Sequence, residues 1–128
     1  MDCNSGIRSR EPEFPLSLSG VVKMVTAEPT LFAVGEWTVK PGKEETFLAR
    51  WEEFARWTMD NLDGTGEVFL LRGAEQKNRF ISFGSWQSQE AMAAWRQHPR
   101  FRGAFLQFRE LCDEITPATM EAVVHLAR

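Results

Sequence analysis

The sequence contains no tyrosine, only two histidines and only two cysteines among its 128 residues. Without a phenol, any chemistry here lacks one common acid, base and radical carrier. His98, His125, Cys3 and Cys112 are far apart in the chain, so they form none of the close ligand pairs that a structural zinc site needs. We therefore expect no bound metal, and two free thiols of the kind found in a reducing cytoplasm.

Long apolar runs and the common nucleotide-binding and hydrolase motifs are also missing. No stretch approaches the roughly 20 apolar residues that span a bilayer, and residues 1–10 do not resemble a secretory signal. There is no P-loop, no GxGxxG after a strand, no GxSxG and no HExxH. Lys plus Arg is 15 and Asp plus Glu is 18, and the resulting net charge of −3 argues against a nucleic-acid-binding face. These absences predict a cytoplasmic protein that binds neither membrane nor nucleic acid.

Aromatic residues are abundant by contrast, with ten Phe and five Trp, and 43% of all residues are hydrophobic. This length and composition suit one domain with a single core. Residues 1–30 contain three prolines and little periodicity, so we expect an arm or tail without a core of its own. Met24, just before the first convincing strand, is an alternative natural start. Residues 31–128 are then the folded domain.

Hydrophobic periodicity predicts the order of elements in this domain. The predicted elements are a strand over Leu31–Val39, a helix over 43–61, strands over 68–72 and Arg79–Trp86, a short helix capped by Ser88, a helix from 101 to about 114, and a strand over 120–126. His98 and Pro99 separate the last two helices, and Pro117 is expected to end the second of them. This order predicts an α+β fold of the ferredoxin-like split βαβ type, a four-stranded antiparallel sheet with helices on one face.

Both faces of the predicted sheet carry apolar residues. In the first strand one face holds Leu31, Ala33, Trp37 and Val39, and the other holds Phe32 and Val34. A sheet with one face in water alternates apolar and polar residues more cleanly than this. The second apolar face predicts a partner, most simply an identical subunit packed sheet to sheet. We expect a homodimer.

Three stretches of the chain are similar to a known family. They are VKPGKE at residues 39–44, FISFGSWQSQEA at 80–91 and WRQHPRF at 95–101. Together they resemble the antibiotic biosynthesis monooxygenase family of the dimeric α/β-barrel superfamily, over about residues 31–127. The resemblance implies a homodimer whose sheets face each other, with a ligand pocket between sheet and helices in each subunit. Members of the family include cofactor-independent monooxygenases that oxidise aromatic polyketides or quinols with O2, haem-degrading enzymes, and proteins with no demonstrated activity.

The chain departs from the haem-degrading members of this family. Those relatives carry a His at the position of Phe105 and an Asn at the position of Gly35, so the resemblance does not extend to haem. Because both haem residues are missing, we expect no cofactor. In addition, many members carry a Glu where this chain has Gly84, so the role of that carboxylate does not carry over to this chain.

A small set of residues is predicted to form the ligand pocket. Gly35 and Trp37 share one face of the first strand by its two-residue period, and the resemblance turns that face towards the helices. Gly35 would leave a gap there, walled by Trp37, Trp51, Trp95 and Phe105, that suits a small hydrophobic or aromatic ligand. The same aromatic residues equally fit plain core packing.

Catalytic residues are not identified by the sequence. His98 is a weak candidate for a general base, or else a residue at a helix end before Pro99. Arg72 is a weak candidate for holding an anionic substrate, or else a strand-end charge in solvent. Glu36 points away from Trp37, so it is expected to meet the dimer partner rather than the pocket.

Other reactive and charged side chains are interpreted as structural. Cys112 falls on an apolar stripe, where a buried thiol stays protonated and inert. A basic cluster alternates with acidic neighbours and is interpreted as a solvated helix face. Its basic members are Arg96, Arg100, Arg102 and Arg109, and its acidic members are Glu90, Glu110, Asp113 and Glu114.

Two functions therefore stay open. The first is a cofactor-independent monooxygenase that oxidises an aromatic or quinol-like small molecule with O2. The second is a non-catalytic dimer that binds a small ligand on the same fold. A closed cavity that contains a polar group would favour the enzyme, whereas a gap filled by Trp and Phe side chains would argue against it.

Overall fold

The computed structural model describes residues 22–23 and 30–128 of the chain. In order, the elements are β1 (Val22–Lys23), β2 (Leu31–Val39), α1 (Glu44–Asn61), β3 (Thr65–Arg72), β4 (Arg79–Trp86), α2 (Gln89–Gln97), α3 (Pro99–Leu111), β5 (Cys112–Glu121) and β6 (Leu126–Ala127). Most of the predicted arm at 1–30, including Met24, lies outside the described residues. None of the helices in the described part is both long and apolar enough to cross a membrane.

The main sheet contains four antiparallel strands in the order β3-β4-β2-β5. The central strands are β2 and β4, and α1 and the α2–α3 pair connect the strands as the split βαβ arrangement requires. The predicted α+β fold is therefore confirmed. The short strands β1 and β6 pair antiparallel with each other in a separate unit.

The first helix has the terminal signals that its sequence predicts. Glu44 and Glu45 lie in its first turn, where carboxylates interact favourably with the positive helix end. A carboxylate oxygen of Glu44 also accepts a hydrogen bond from the backbone N–H of Gly42 at 2.9 Å. Beyond the helix, Gly64 adopts a φ of +96°, a left-handed conformation that glycine adopts without strain.

His98 connects the two later helices and is the structural boundary between them. It is both the C-cap of α2 and the N-cap of α3. In the second role its Nδ1 accepts a hydrogen bond from the Arg100 backbone N–H at 3.0 Å. Pro99 follows at the first helical position, where its missing N–H is no loss. At the start of α2, the Ser88 hydroxyl accepts from the Ala91 N–H at 3.1 Å, as the sequence predicts.

The predicted end of the last helix and the predicted fourth strand are both wrong. The helix ends at Leu111 rather than near residue 114, and β5 spans Cys112–Glu121 rather than 120–126. A register shift opposite Thr38 and Val39 inserts an extra residue, so Cys112 and Ile115 both turn inward although they are three positions apart. That spacing imitates a helical stripe. Pro117, expected to break the chain, lies within β5 because an edge strand tolerates its missing N–H.

The core lies between the sheet and the helices and is mostly aromatic. Its largest fully buried side chains are Phe47, Phe80, Phe108 and Val39. Trp37 joins the sheet to this cluster, with ring centroids 5.3 Å from Phe47 and 5.1 Å from Phe108. Such tilted and edge-on pairs are the arrangements that aromatic quadrupoles favour.

The opposite face of the sheet is apolar and is not covered by the helices. Phe69, Leu71, Ile81 and Met120 are 45%, 50%, 43% and 53% exposed there. Phe83 stacks on Phe69 with ring centroids 5.1 Å apart. The two-faced apolar pattern predicted from the sequence is thus present in the fold, and it leaves a hydrophobic surface without a partner in the described part of one chain.

Candidate functional site

A cavity of about 100 Å³ lies between the sheet and the helices. All five residues predicted for the pocket, Gly35, Trp37, Trp51, Trp95 and Phe105, contribute to its lining. The sheet provides the first two, α1 provides Trp51, and α2 and α3 provide Trp95 and Phe105. The aromatic side chains therefore surround an empty space rather than filling it. Their role in binding a substrate stays a prediction.

The deepest polar contact of the cavity joins β2 to β4. The indole Nε1–H of Trp37 donates a hydrogen bond to the Ser82 Oγ at 3.0 Å, and both side chains are buried. Gly35 makes room for this contact, because a Cβ at that position would lie 2.9 Å from Trp37 Nε1 and 3.0 Å from Ser82 Oγ. The gap expected at Gly35 is thus occupied by the Trp37 indole, and the cavity begins beyond it.

The Ser82 hydroxyl retains hydrogen-bonding capacity after this contact. It accepts from Trp37, and its own hydrogen has no acceptor among the residues that the structure describes. Ser82 is only 8% exposed and lines the cavity. A buried hydroxyl in an apolar cavity is costly unless it is paired. It is therefore available to a polar atom of a ligand.

The second indole of the cavity is held from α1. Trp95 Nε1–H donates to Thr58 Oγ1 at 3.1 Å, and the Thr58 hydroxyl in turn donates to the Phe54 carbonyl at 2.9 Å. The Trp95 ring lies 5.0 Å from Trp86 and 4.8 Å from Phe101, measured between centroids. Since these contacts fix the ring on both sides, Trp95 is a rigid wall of the cavity.

Charged residues contribute little to the lining. Arg96 and Glu67 are the only two among the lining residues, and they come from α2 and β3. Glu67 is exposed on the edge strand β3, at the register shift between Thr65 and Val68. Arg96 is half-buried, so part of its side chain remains in contact with solvent while part lines the cavity.

The two weak catalytic candidates from the sequence do not line this cavity. His98 accepts the cap hydrogen bond described above, and its ring lies 4.7 Å from that of Trp57 on α1, measured between centroids. Arg72 forms a 3.6 Å ion pair with Glu45 and lies over the Phe80 ring at 5.1 Å from its centroid. Both contacts are structural, so the structure does not bring either residue to the candidate site.

A buried thiol that is not among the lining residues has a shifted pKa. Burial, with a smaller contribution from the Asp113 charge, raises the pKa of Cys112 to about 11, although Lys40 opposes the shift. The buried, protonated thiol expected from the sequence is confirmed. Within residues 22–23 and 30–128, no group of three or more His, Cys, Asp and Glu side chains is arranged to hold a metal ion.

Sequence reasoning missed the polar residues of the site. Ser82, Thr58 and Arg96 face the cavity, but each depends on a partner in a distant part of the chain. The one available signal for Ser82 is its period-two spacing from Phe80 and Trp86, which places it on the inward face of β4. As assembled, the site is a largely apolar aromatic cavity in which the Ser82 hydroxyl can donate one hydrogen bond to a ligand.

Comparisons with known proteins place this geometry in a family. The model of the antibiotic biosynthesis monooxygenase family matches residues 30–107, more than half of the chain. Among curated proteins, none matches this sequence.

Several solved structures share the fold at low identity. A proposed antibiotic biosynthesis monooxygenase from Caulobacter crescentus is 16% identical with a TM-score of 0.69, covering 75% of this chain and 92% of its own. One from Nitrosomonas europaea is 13% identical with a TM-score of 0.68, covering 78% and 96%. SnoaB, a cofactor-independent oxygenase from Streptomyces nogalater, is 18% identical with a TM-score of 0.66, covering 72% and 91%. With the family match over residues 30–107, the chain belongs to the antibiotic biosynthesis monooxygenase family.

Proposed function

We propose that this protein is a cofactor-independent monooxygenase that oxidises an electron-rich aromatic or quinol-type small molecule with O2. Family membership supports the reaction class, and the similar fold of SnoaB, itself a cofactor-independent oxygenase, is consistent with it. Since a fold alone does not establish an activity, the proposal depends on the site. The observation that carries it is the buried Ser82 hydroxyl inside the aromatic cavity.

The chemistry of such a reaction places few demands on the protein. In an anthrone, the CH2 opposite the ring carbonyl ionises, its proton passes to solvent, and the resulting anion, whose charge lies largely on the carbonyl oxygen, transfers one electron to O2. The two radicals join through a new C–O bond, and protonation gives a hydroperoxide. Loss of water leaves a C=O group, so one oxygen atom enters the product and the other leaves as water. The substrate carbon supplies all four electrons, and no external reductant is needed.

The cavity residues have defined roles in this scheme. The walls formed by Trp37, Trp95 and Phe105 exclude water and keep the ring of the substrate flat. The Ser82 O–H donates to the ionised oxygen of the substrate, and the Trp37 indole holds the hydroxyl in place at 3.0 Å. A donor fixed in a low-dielectric site stabilises developing negative charge more strongly than water does.

Oxygen uptake with a panel of dihydroxynaphthalenes and anthrones tests the proposal. We expect uptake with the wild-type protein and a fall of about 10- to 100-fold in kcat for Ser82→Ala. Thr46→Ala, an exposed change on α1, is the matched control and keeps the full rate. Because Ser82→Ala also leaves the Trp37 N–H unpaired, its thermal unfolding and its ligand affinity are measured alongside. A folded Ser82→Ala protein with the wild-type rate would contradict the proposed role of the hydroxyl.

A non-catalytic ligand-binding protein is the second candidate function. It is favoured by the lining that the structure describes, which contains no His and a single carboxylate residue, the exposed Glu67 on the edge strand β3. Such a protein binds the aromatic panel but consumes no oxygen. Binding without uptake across the whole panel would therefore replace the first proposal with this one.

We also propose that two copies of the chain pack sheet to sheet. The support is the uncovered apolar face around Ile81, which pairs with Glu36 on one side and Leu71 on the other. Light scattering is expected to give a dimer for the wild type and a monomer for Ile81→Glu. Leu106→Glu, an equally apolar and 61% exposed position on the helical side, is the control and stays dimeric. A wild-type monomer at micromolar concentration would refute this assembly.

A further inference from the structure

Arg96 has an unusual position for a charged residue in this fold. It follows the wall residue Trp95 on α2, is half-buried and contributes to the lining of the cavity. Its Nη1 donates a hydrogen bond to Thr119 Oγ1 on β5 at 2.8 Å. The side chain therefore crosses from the helical layer to the edge strand of the sheet, beside the lining residues Ala33 and Pro117.

The Arg96 charge is not neutralised by the residues around it. Over residues 30–128, the arginines in ion pairs are Arg50, Arg56 and Arg72, and no described carboxylate lies within ion-pair distance of Arg96. Its only hydrogen-bond partner there is the neutral Thr119, so most of the five N–H donors of the guanidinium have no partner in this part of the chain.

The other charged lining residue does not compensate for it. Glu67 lies on β3, and β3 and β5 are opposite edge strands of the four-stranded sheet. Three strand spacings separate them, about 14 Å in total. The Glu67 side chain is also exposed, so its interaction with Arg96 over that distance is weak.

We infer that Arg96 determines the substrate class of the cavity, by selecting flat aromatic molecules that carry an ionised carboxylate or phenolate. The inference rests on the proposed ligand-binding function of the cavity and adds the charge of its ligand. The aromatic walls accept the ring, and the guanidinium at the cavity wall accepts the anionic oxygen. A planar guanidinium binds both oxygens of a carboxylate at once, which a lysine ammonium does not do.

Two probes of the same shape isolate this interaction. Naphthoate and naphthamide share the ring and nearly the same substituent volume, but only naphthoate is charged. By titration calorimetry we expect the wild-type protein to bind naphthoate about tenfold more tightly than naphthamide, as for a partly solvated hydrogen bond to a charged group. The preference is expected to shrink as the ionic strength rises from about 0.05 to about 0.5 M.

Variants assign the preference to Arg96. Arg96→Gln is expected to bind the two probes equally, with naphthamide affinity unchanged, and Arg96→Lys to keep a reduced preference. Arg102→Gln is the matched control, because Arg102 is exposed on α3 and is not a lining residue. It keeps the wild-type preference. Unchanged thermal unfolding of each variant shows that the fold is intact.

The outcomes separate this inference from the function on which it rests. Equal binding of both probes by the wild type, or a preference that survives in Arg96→Gln, would overturn the inference and leave the aromatic cavity as a ligand site. If neither probe binds, the ligand-binding function fails and the inference fails with it.

Discussion

Replacing Gly35 by alanine tests the packing at the base of the cavity. The added Cβ would lie 2.9 Å from Trp37 Nε1, 3.0 Å from Ser82 Oγ and 3.1 Å from Trp37 Cε2. All three distances are shorter than van der Waals contact. Trp37 is only 4% exposed and lies against Phe47 and Phe108, so its indole has little room to retreat. The clash therefore acts on the core and on the cavity together.

Three contributions determine how much Gly35→Ala changes the free energy of unfolding. Overpacking of a filled core costs about 1–3 kcal/mol, and weakening the Trp37–Ser82 hydrogen bond costs about 1 kcal/mol. In the other direction, alanine has less conformational freedom than glycine in the unfolded chain, which stabilises the folded state by about 0.4–1 kcal/mol. We expect Gly35→Ala to lower the free energy of unfolding by about 1–3 kcal/mol, measured by urea unfolding with tryptophan fluorescence.

The chain provides a control of opposite sign for this measurement. Gly103 lies in α3, and a Cβ there would meet nothing within 4 Å. Gly103→Ala is expected to raise the free energy of unfolding by up to about 1 kcal/mol, since alanine favours helix over glycine. In a Trp37→Phe background, which lacks the indole nitrogen, Gly35→Ala is expected to cost less. A Gly35→Ala protein as stable as the wild type would contradict the expected clash of the added Cβ with Trp37 and Ser82.

Three further changes test other parts of the structure. His98→Ala is expected to lose about 1 kcal/mol of stability because it removes the N-cap of α3, whereas His98→Asn keeps an acceptor and most of the stability in the same urea assay. Arg72→Gln is expected to change stability by less than about 1 kcal/mol and to leave oxygen uptake unchanged, since its ion pair with Glu45 is long and largely exposed. Burial raises the pKa of Cys112 to about 11, so the native thiol stays protonated where the unfolded thiol ionises. Below about pH 9 the thiol is protonated in both states, and its contribution to the free energy of unfolding is fully present. As the pH rises from about 9 towards about 11, the free energy of unfolding falls by up to about 1.4 kcal/mol per pH unit. Cys112→Ala is expected to lack this slope in unfolding curves across that pH range, and an identical slope in both proteins would contradict the assignment.

Much of the fold follows from local patterns. The first helix, the Ser88 cap and the His98-Pro99 boundary each depend on residues that are close in sequence, and each is found where predicted. The fourth strand was not predictable in this way. A one-residue bulge gives Cys112 and Ile115 a helix-like spacing, and the edge position that accommodates Pro117 is a property of the whole sheet.

The site also contains residues that local patterns place and residues that only long-range pairing places. Strand alternation is enough to place Gly35 and Trp37 on the inner face, away from the exposed Glu36. The partner of the Trp37 indole, Ser82, is 45 residues away and is set by strand pairing. The sequence pairs Arg96 with acidic neighbours, but in the structure its side chain donates to the neutral Thr119 on β5. Long-range pairing decides the polar chemistry of the site, and a single sequence carries little trace of it.

Oxidation under ¹⁸O2 tests the central claim of cofactor-independent monooxygenation most directly. The purified protein is incubated with the substrate that gives the fastest oxygen uptake, without added metal, flavin or reductant. The mass of the product is then measured by mass spectrometry. One labelled oxygen atom is expected in each product molecule and the other in water, with a rate that falls in Ser82→Ala. Product formed without label, or at the same rate when the protein is left out, would contradict the claim.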